Sequence, residues 1–217
     1  MWVLALDTAT ADLVTGLVNA TTGEVFDEVI HDTRSHNELL VPTIQLLLKR
    51  AELTFDDLSA IAVGCGPGPF TGLRVGMATA SALGQALGLP VHGVVTHDAV
   101  AALIDEPSSL IVTDARRREV YWARYTNGSR VSGPDVIAPA QLAVDPVDVM
   151  SVPDHIRDSV SVDAGTVTYR APSALGLVSA ADLESEPGPL VPHYLRRPDA
   201  KEPAPKPKSP AIPEVEL

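Results

Sequence analysis

The sequence predicts an α/β fold layered on a mixed sheet. Three observations predict it: three short apolar runs open the chain, strand-like runs then alternate with helix-period segments, and a Gly/Pro-rich loop joins a strand to a helix. Trp2 to Asp7 is the first run and ends in Asp7-Thr8-Ala9-Thr10. Leu13 to Asn19 and Glu24 to His31 follow, with Gly23 at the turn between them, so the opening reads as a β-meander. Ser35-His36-Asn37-Glu38 then fits a capping box, in which Ser35 takes the Glu38 amide and Glu38 reaches back. In the helix that follows, Leu40, Ile44, Leu47 and Ala51 share one face, flanked by Val41 and Leu48 on one side and Leu39 and Leu46 on the other. That arc is wider than one core contact needs. The helix is therefore either sandwiched in its own domain or meets another chain. Pro42 inside it removes one backbone bond and should bend it.

Ala60 to Gly64 reads as a buried strand, and the loop Gly64-Cys65-Gly66-Pro67-Gly68-Pro69-Phe70-Thr71-Gly72 leads into a helix from about Thr71 to Leu87. Pro90 to Val95 is a further strand and Thr96 to Ile104 a further helix. Ser109 to Thr113 and Glu119 to Tyr125 are strands around the basic turn Arg116-Arg117-Arg118. Beyond Asn127 the patterns fade to a strand at Val160 to Val162 and a short helix at Ala174 to Ala181. No internal repeat is visible. From Pro198 onward Pro and Lys recur with almost nothing apolar to bury, the composition of a disordered tail.

Charge and cysteine usage narrow the function classes. Among 217 residues, 28 Asp+Glu against 16 Lys+Arg give a net charge of −12. That argues against a chain that binds nucleic acid by itself, though not against membership of a complex that does. The single cysteine, Cys65, rules out a disulfide framework and points to a reducing compartment. No basic leader and no long apolar run is visible, so a cytoplasmic location without membrane contact is expected.

The loop from Gly64 to Gly72 precedes a helix N-terminus, where free amides and the dipole favour anions. It matches neither a P-loop nor G-x-G-x-x-G, and Pro67 and Pro69 lack amides. A rigid turn is the commoner reading. If an anion or nucleotide is held, its contacts are Asp7, Thr8 and Thr10 of the first turn with Gly66, Gly68 and Thr71 of the loop. Asp7 could serve Mg²⁺ or phosphate as in actin and sugar kinases, or only cap a turn. The following helix carries Gly72, Gly76, Ala80 and Gly84 at four-residue spacing, each interior glycine costing about 1 kcal/mol against alanine. A backbone should approach that stripe, either from this chain's sheet or from another chain. The six histidines show no H-x-x-x-H spacing, so no metal site is expected. Cys65 reads as a buried structural thiol.

Together these segments resemble the TsaB (YeaZ) family of threonylcarbamoyladenosine biosynthesis proteins. The resemblance lies in Leu4-Ala5-Leu6-Asp7-Thr8-Ala9-Thr10, Ser35-His36-Asn37-Glu38-Leu39-Leu40-Val41-Pro42, the run from Gly66 to Gly76, Asp114-Ala115-Arg116-Arg117-Arg118-Glu119-Val120-Tyr121 and Tyr194-Leu195-Arg196. Pro69 departs from the family's usual Ser. The resemblance implies an actin-like (ribonuclease H-like) fold, with lobes at 1–105 and 106–197 before the tail at 198–217. It implies a non-catalytic subunit that pairs with a TsaD-like paralogue through its first two long helices and can self-pair. Leu40, Val41, Ile44 and Leu48 with Gly72, Gly76, Ala80 and Gly84 are the expected contacts. A TsaE-like ATPase joins, ATP and threonylcarbamoyl-AMP are used by the assembly and not held by this chain alone, and tRNA is met only through the complex. Two enzyme readings stand beside it: a metal-free peptidase using Cys65 or Thr71, and a sugar-kinase-like phosphotransferase using Asp7.

Overall fold

The computed structural model describes residues 1–196. The expected tail lies outside the described residues. Two five-stranded mixed sheets organise the rest. In the first, β1 (Trp2–Asp7) pairs antiparallel with β2 (Leu13–Asn19), which pairs antiparallel with β3 (Val25–Ile30). On its other edge β1 runs parallel to β4 (Leu58–Gly64), and β4 runs parallel to β5 (Val91–Val94). Helices cover both faces. Leu4, Leu6, Leu13 and Leu17 face α1 (His36–Arg50) and α2 (Phe70–Leu87). Val3, Ala5, Val14 and Val18 face α3 (Thr96–Ala101) and α5 (Ala174–Ala180). Strand alternation sends neighbours to opposite faces, so a strand buried on both sides must be apolar throughout, as Val3 to Leu6 is.

The second sheet contains β6 (Ser108–Arg116), β7 (Glu119–Thr126), β8 (Ser129–Ile137), β9 (Val147–Ser151) and β10 (Ala164–Thr168). Its order is β10-β9-β6-β7-β8, with β6–β7 and β7–β8 antiparallel and β6–β9 and β9–β10 parallel. Strand for strand this repeats the first sheet, β3-β2-β1-β4-β5. The sequence shows no such repeat; the duplication is one of topology. Between β9 and β10 only the short α4 (Asp154–Arg157) intervenes. The chain then returns to the first sheet, where α5 packs against α3, β1 and β2.

Several local expectations are corrected. Ser35 makes no side-chain cap: its ψ of 34° is not the extended conformation that aims a hydroxyl at the first turn, and its carbonyl takes the Glu38 and Leu39 amides instead. β8 and β9 are strands where the sequence pattern predicts none. Val160 to Val162 is no strand; Val160 plugs the second sheet's apolar cluster and the strand starts at Ala164. Among the described residues no helix is long and apolar enough to cross a membrane.

Candidate functional site

The turn after β1 and the loop after β4 meet at the edge of the first lobe. Asp7 is fully buried, and both its oxygens are engaged: Oδ1 accepts the Ala9 amide at 2.6 Å and Oδ2 the Thr96 hydroxyl at 2.7 Å. Burial outweighs these bonds and pushes its carboxyl up to about 6. Thr96 also accepts the Gly66 amide at 3.2 Å, tying the loop to α3. Thr8 donates to the Gly72 carbonyl at 2.7 Å and accepts the Gly76 amide at 3.0 Å, which fixes α2 on the turn. Thr10 accepts the Asp12 amide at 3.1 Å within its own turn. Gly68 lies directly against the Ala9 backbone, where a Cβ would collide with the carbonyl. Thr71 points outward and is exposed. The structure therefore brings Asp7, Thr8, Gly66 and Gly68 together. Asp7 and Thr8 spend their polar atoms on the chain itself, and the close approach at Gly68 leaves no cradle there.

The small-residue stripe of α2 is also accounted for within the chain. A Cβ on Gly76 would stand 2.5 Å from Thr8 Oγ1, one on Gly72 would strike the Thr8 carbonyl, and one on Gly84 would strike Val91; Ala80 is fully buried. Of the two readings of this stripe, the close approach within the chain is the one the packing supports: the Thr8 backbone at Gly72, the Thr8 hydroxyl at Gly76, and Val91 with the Leu89 carbonyl at Gly84. Leu40, Ile44 and Leu48 are likewise core residues under the first sheet. Of the expected contacts on α1, Val41 alone is exposed, at 43%; Leu46, equally exposed, lies across the polar strip of Glu38, Gln45 and Lys49 from it.

Cys65 is 3% exposed, and its thiol is pushed up to about 11, first by burial and then by the Asp7 charge. Its hydrogen-bond partner is the Val63 carbonyl at 3.6 Å, not a base. It does not fit a thiolate nucleophile. A cavity of about 300 Å³ beside it is lined by His92, Gly93, Asp182, Ser185 and His193 among others. Among the described residues no three His, Cys, Asp or Glu side chains converge on a point that could hold a metal ion.

Sequence reasoning missed the seam between the lobes. His97 Nε2 lies 2.9 Å from Thr113 Oγ1, and full burial, then the charges of Arg130 and His193, drive its imidazole down to about 3. Tyr125 donates to Asp98 at 2.7 Å, and Arg130 stands 3.6 Å from the same carboxylate. Arg196, at the end of the described chain, donates to the Ala115 carbonyl at 2.7 Å and pairs with Glu119 at 2.8 Å. These partners lie far apart in sequence, and no local pattern marks them.

Comparison with known proteins places this geometry. The family described as TsaD, tRNA N6-adenosine threonylcarbamoyltransferase, matches residues 25–184. An uncharacterised protein of Mycobacterium tuberculosis strain H37Rv is 49% identical over 200 residues, 92% of this chain and 93% of that protein. The Escherichia coli K12 protein named tRNA threonylcarbamoyladenosine biosynthesis protein TsaB is 36% identical over 129 residues, 58% of this chain and 55% of that one. The solved structure of YeaZ from Pseudomonas aeruginosa superposes with a TM-score of 0.71 at 26% identity, covering 82% of this chain and 89% of that one. The two lobes have the actin-like α/β arrangement that the resemblance implied. This chain belongs to the TsaD-type threonylcarbamoyltransferase family, as a homologue of its TsaB (YeaZ) members.

Proposed function

We propose that this chain is a non-catalytic scaffold and activating subunit of tRNA threonylcarbamoyladenosine synthesis. It pairs with a TsaD-type paralogue and supports transfer of threonylcarbamoyl from threonylcarbamoyl-AMP to the adenosine beside the anticodon. The carrying observation is the filled turn after β1. Where a phosphotransferase needs open polar groups, Asp7 is bonded to Ala9 and Thr96, and Thr8 bridges Gly72 and Gly76. With Cys65 buried and bonded to no base, the site does not support the peptidase reading through that thiol. ATP and threonylcarbamoyl-AMP belong to the assembly, in which a TsaE-like ATPase and tRNA also take part.

What remains for this chain is to favour the partner's competent state by binding it better than the idle one. The exposed alanines Ala78, Ala82 and Ala86 of α2, with Val41 and Leu46 at the two margins of the exposed polar strip of α1, offer apolar contacts for that pairing. The test is reconstitution with threonylcarbamoyl-AMP and an unmodified tRNA whose anticodon reads codons beginning with A. No product is expected from this chain alone, and a large rise in the partner's rate is expected on mixing. Product from this chain alone overturns the reading, and an unchanged partner rate rejects activation.

A further inference from the structure

The β6–β7 hairpin is built against its backbone preferences. Arg116, Arg117 and Arg118 have φ of 61°, 53° and 62°, three successive side-chain-bearing residues in the left-handed region. Only glycine, and to a lesser degree Asn or Asp, enters that region without steric cost. The next hairpin of the same sheet turns through Asn127-Gly128 at φ 48° and 72°, the residues such a turn prefers. One turn thus uses the relaxed solution and its neighbour holds three arginines in the strained one. Strain of this kind persists where the side chains have a task.

The surroundings indicate the task. All three arginines are exposed in a chain whose net charge is −12. The Arg116 and Arg118 side chains do not take the carboxylates nearest in sequence: Glu119 pairs with Arg196, and Asp114 accepts the Arg116 amide at 2.6 Å and lies 3.2 Å from His155. Two residues before Arg196, no more than about 7 Å along the chain, stands Tyr194. Its ring packs on Phe70 with centroids 5.0 Å apart, and Arg74 lies 3.8 Å over Phe70. Both rings remain open, Phe70 at 47% and Tyr194 at 40%. Guanidinium groups beside half-exposed rings fit phosphodiesters and unpaired bases together. An acidic protein face would use the charges and not the rings.

We propose that the Arg116–Arg118 turn and the neighbouring Tyr194 form a docking surface for structured RNA, contacting backbone phosphates and a stacked base of the tRNA. The inference rests on the scaffold reading above, since the net negative charge of the chain keeps RNA affinity low until a partner contributes. It assigns this subunit a direct hold on the substrate and not only on the partner.

The test uses the full chain, alone at low salt and assembled with its TsaD-type partner, titrated with an unmodified tRNA transcript. Pairing is checked separately by size exclusion. Changing Arg116, Arg117 and Arg118 to Gln should weaken tRNA binding about tenfold at 0.1 M salt and flatten the slope of log Kd against log salt by about two. Arg117→Asn with Arg118→Gly should also lose affinity while melting no lower than wild type, which separates charge from folding. Tyr194→Ala should weaken binding severalfold with the salt slope unchanged, because stacking releases no counterions. Wild-type affinity and salt slope in both arginine variants overturn the proposal. Variants that bind RNA normally but no longer pair with the partner reassign the turn to a protein contact and also overturn it. If the wild-type chain does not pair at all, the scaffold reading fails, and the low-salt arm with the chain alone still decides this one: no turn-dependent binding there overturns it.

Discussion

The two sheets share one strand order and differ in what covers them. In the first lobe, α1 and α2 close one face and α3 and α5 the other, so every residue from Val3 to Asp7 is buried. In the second, α3 and the turn after it cover one face through Val100, Ala101 and Ile104, while the other relies on Ile156 of the short α4 and on loop residues such as Leu142 and Val160. Its outer strands are open, β8 almost throughout and β10 along its centre. The same topology therefore yields a dense body in one place and an exposed rim in the other. Strand order fixes where a sheet sits; the covering helices decide whether its edges are core or surface. In this chain the dense lobe consumes its own polar turn, and the thin lobe presents the arginine hairpin.

The sharpest break between the lobes should come from glycine replacements. Gly76→Leu drives a side chain into Thr8 and Leu6, and is expected to cost about 3 kcal/mol or more. Gly128→Ala in the second lobe meets nothing within 4 Å, and only its φ of 72° resists, at roughly 1 kcal/mol. Urea unfolding of the two variants checks the ranking. A Gly76→Leu chain as stable as wild type would mean that α2 does not rest on the β1 turn.

Titration should separate the lobe interior from the seam by opposite signs. Folding raises the Asp7 carboxyl to about 6, so its stabilising contribution is present at acid pH and is lost as pH rises through that value. The stability of Asp7→Asn minus that of wild type is expected to grow by about 2 kcal/mol between pH 4 and pH 7. His97 is held neutral, with its imidazole depressed to about 3, so the unfolded chain takes up a proton first and stability is lost as pH falls below 6.5. His97→Gln should remove that acid-side loss. Parallel pH series of the two variants check both slopes, and equal signs would refute the assignment.

A smaller effect is expected where the late chain segment is pinned to the first lobe. Ser173 accepts the Gly176 amide at 3.1 Å and caps α5. Ser173→Ala should cost about 1 kcal/mol, read as a lowered melting temperature. No change would mean that packing alone seats this helix.

The same contrast explains what the sequence made legible. Trp2 to Asp7 reads as a strand because both its faces are buried, leaving an unbroken apolar run. Ser129 to Ile137 is mostly exposed, so Ser, Gly, Pro and Asp interrupt it and no period survives. The glycine stripe was visible, but its partner was not: spacing along a helix reports that a backbone comes near, not whose backbone it is. The Asp7 turn and the Gly loop are both marked by their residue types. What joins them is Thr96, which is remote in sequence and ordinary in type. The seam of His97, Thr113, Asp98 and Tyr125 escaped for the same reason.

The return of α5 to the first sheet has a consequence for the order in which the chain can be built. Ala174, Leu177 and Val178 lie against the face formed by Val3, Ala5, Val14 and Ala62, and Gly176 touches the Ala99 backbone. A chain emerging from the ribosome thus makes β1 to β5 long before the segment that covers one side of them. The whole second lobe is threaded out in between. Closing so long an intervening loop adds little to the equilibrium cost, about 0.6 kcal/mol per doubling. It delays folding much more, since the first lobe waits with an apolar sheet face in water, the kind of surface that recruits chaperones or other nascent chains. The last helix among the described residues is therefore the one that completes the core begun by the first strand.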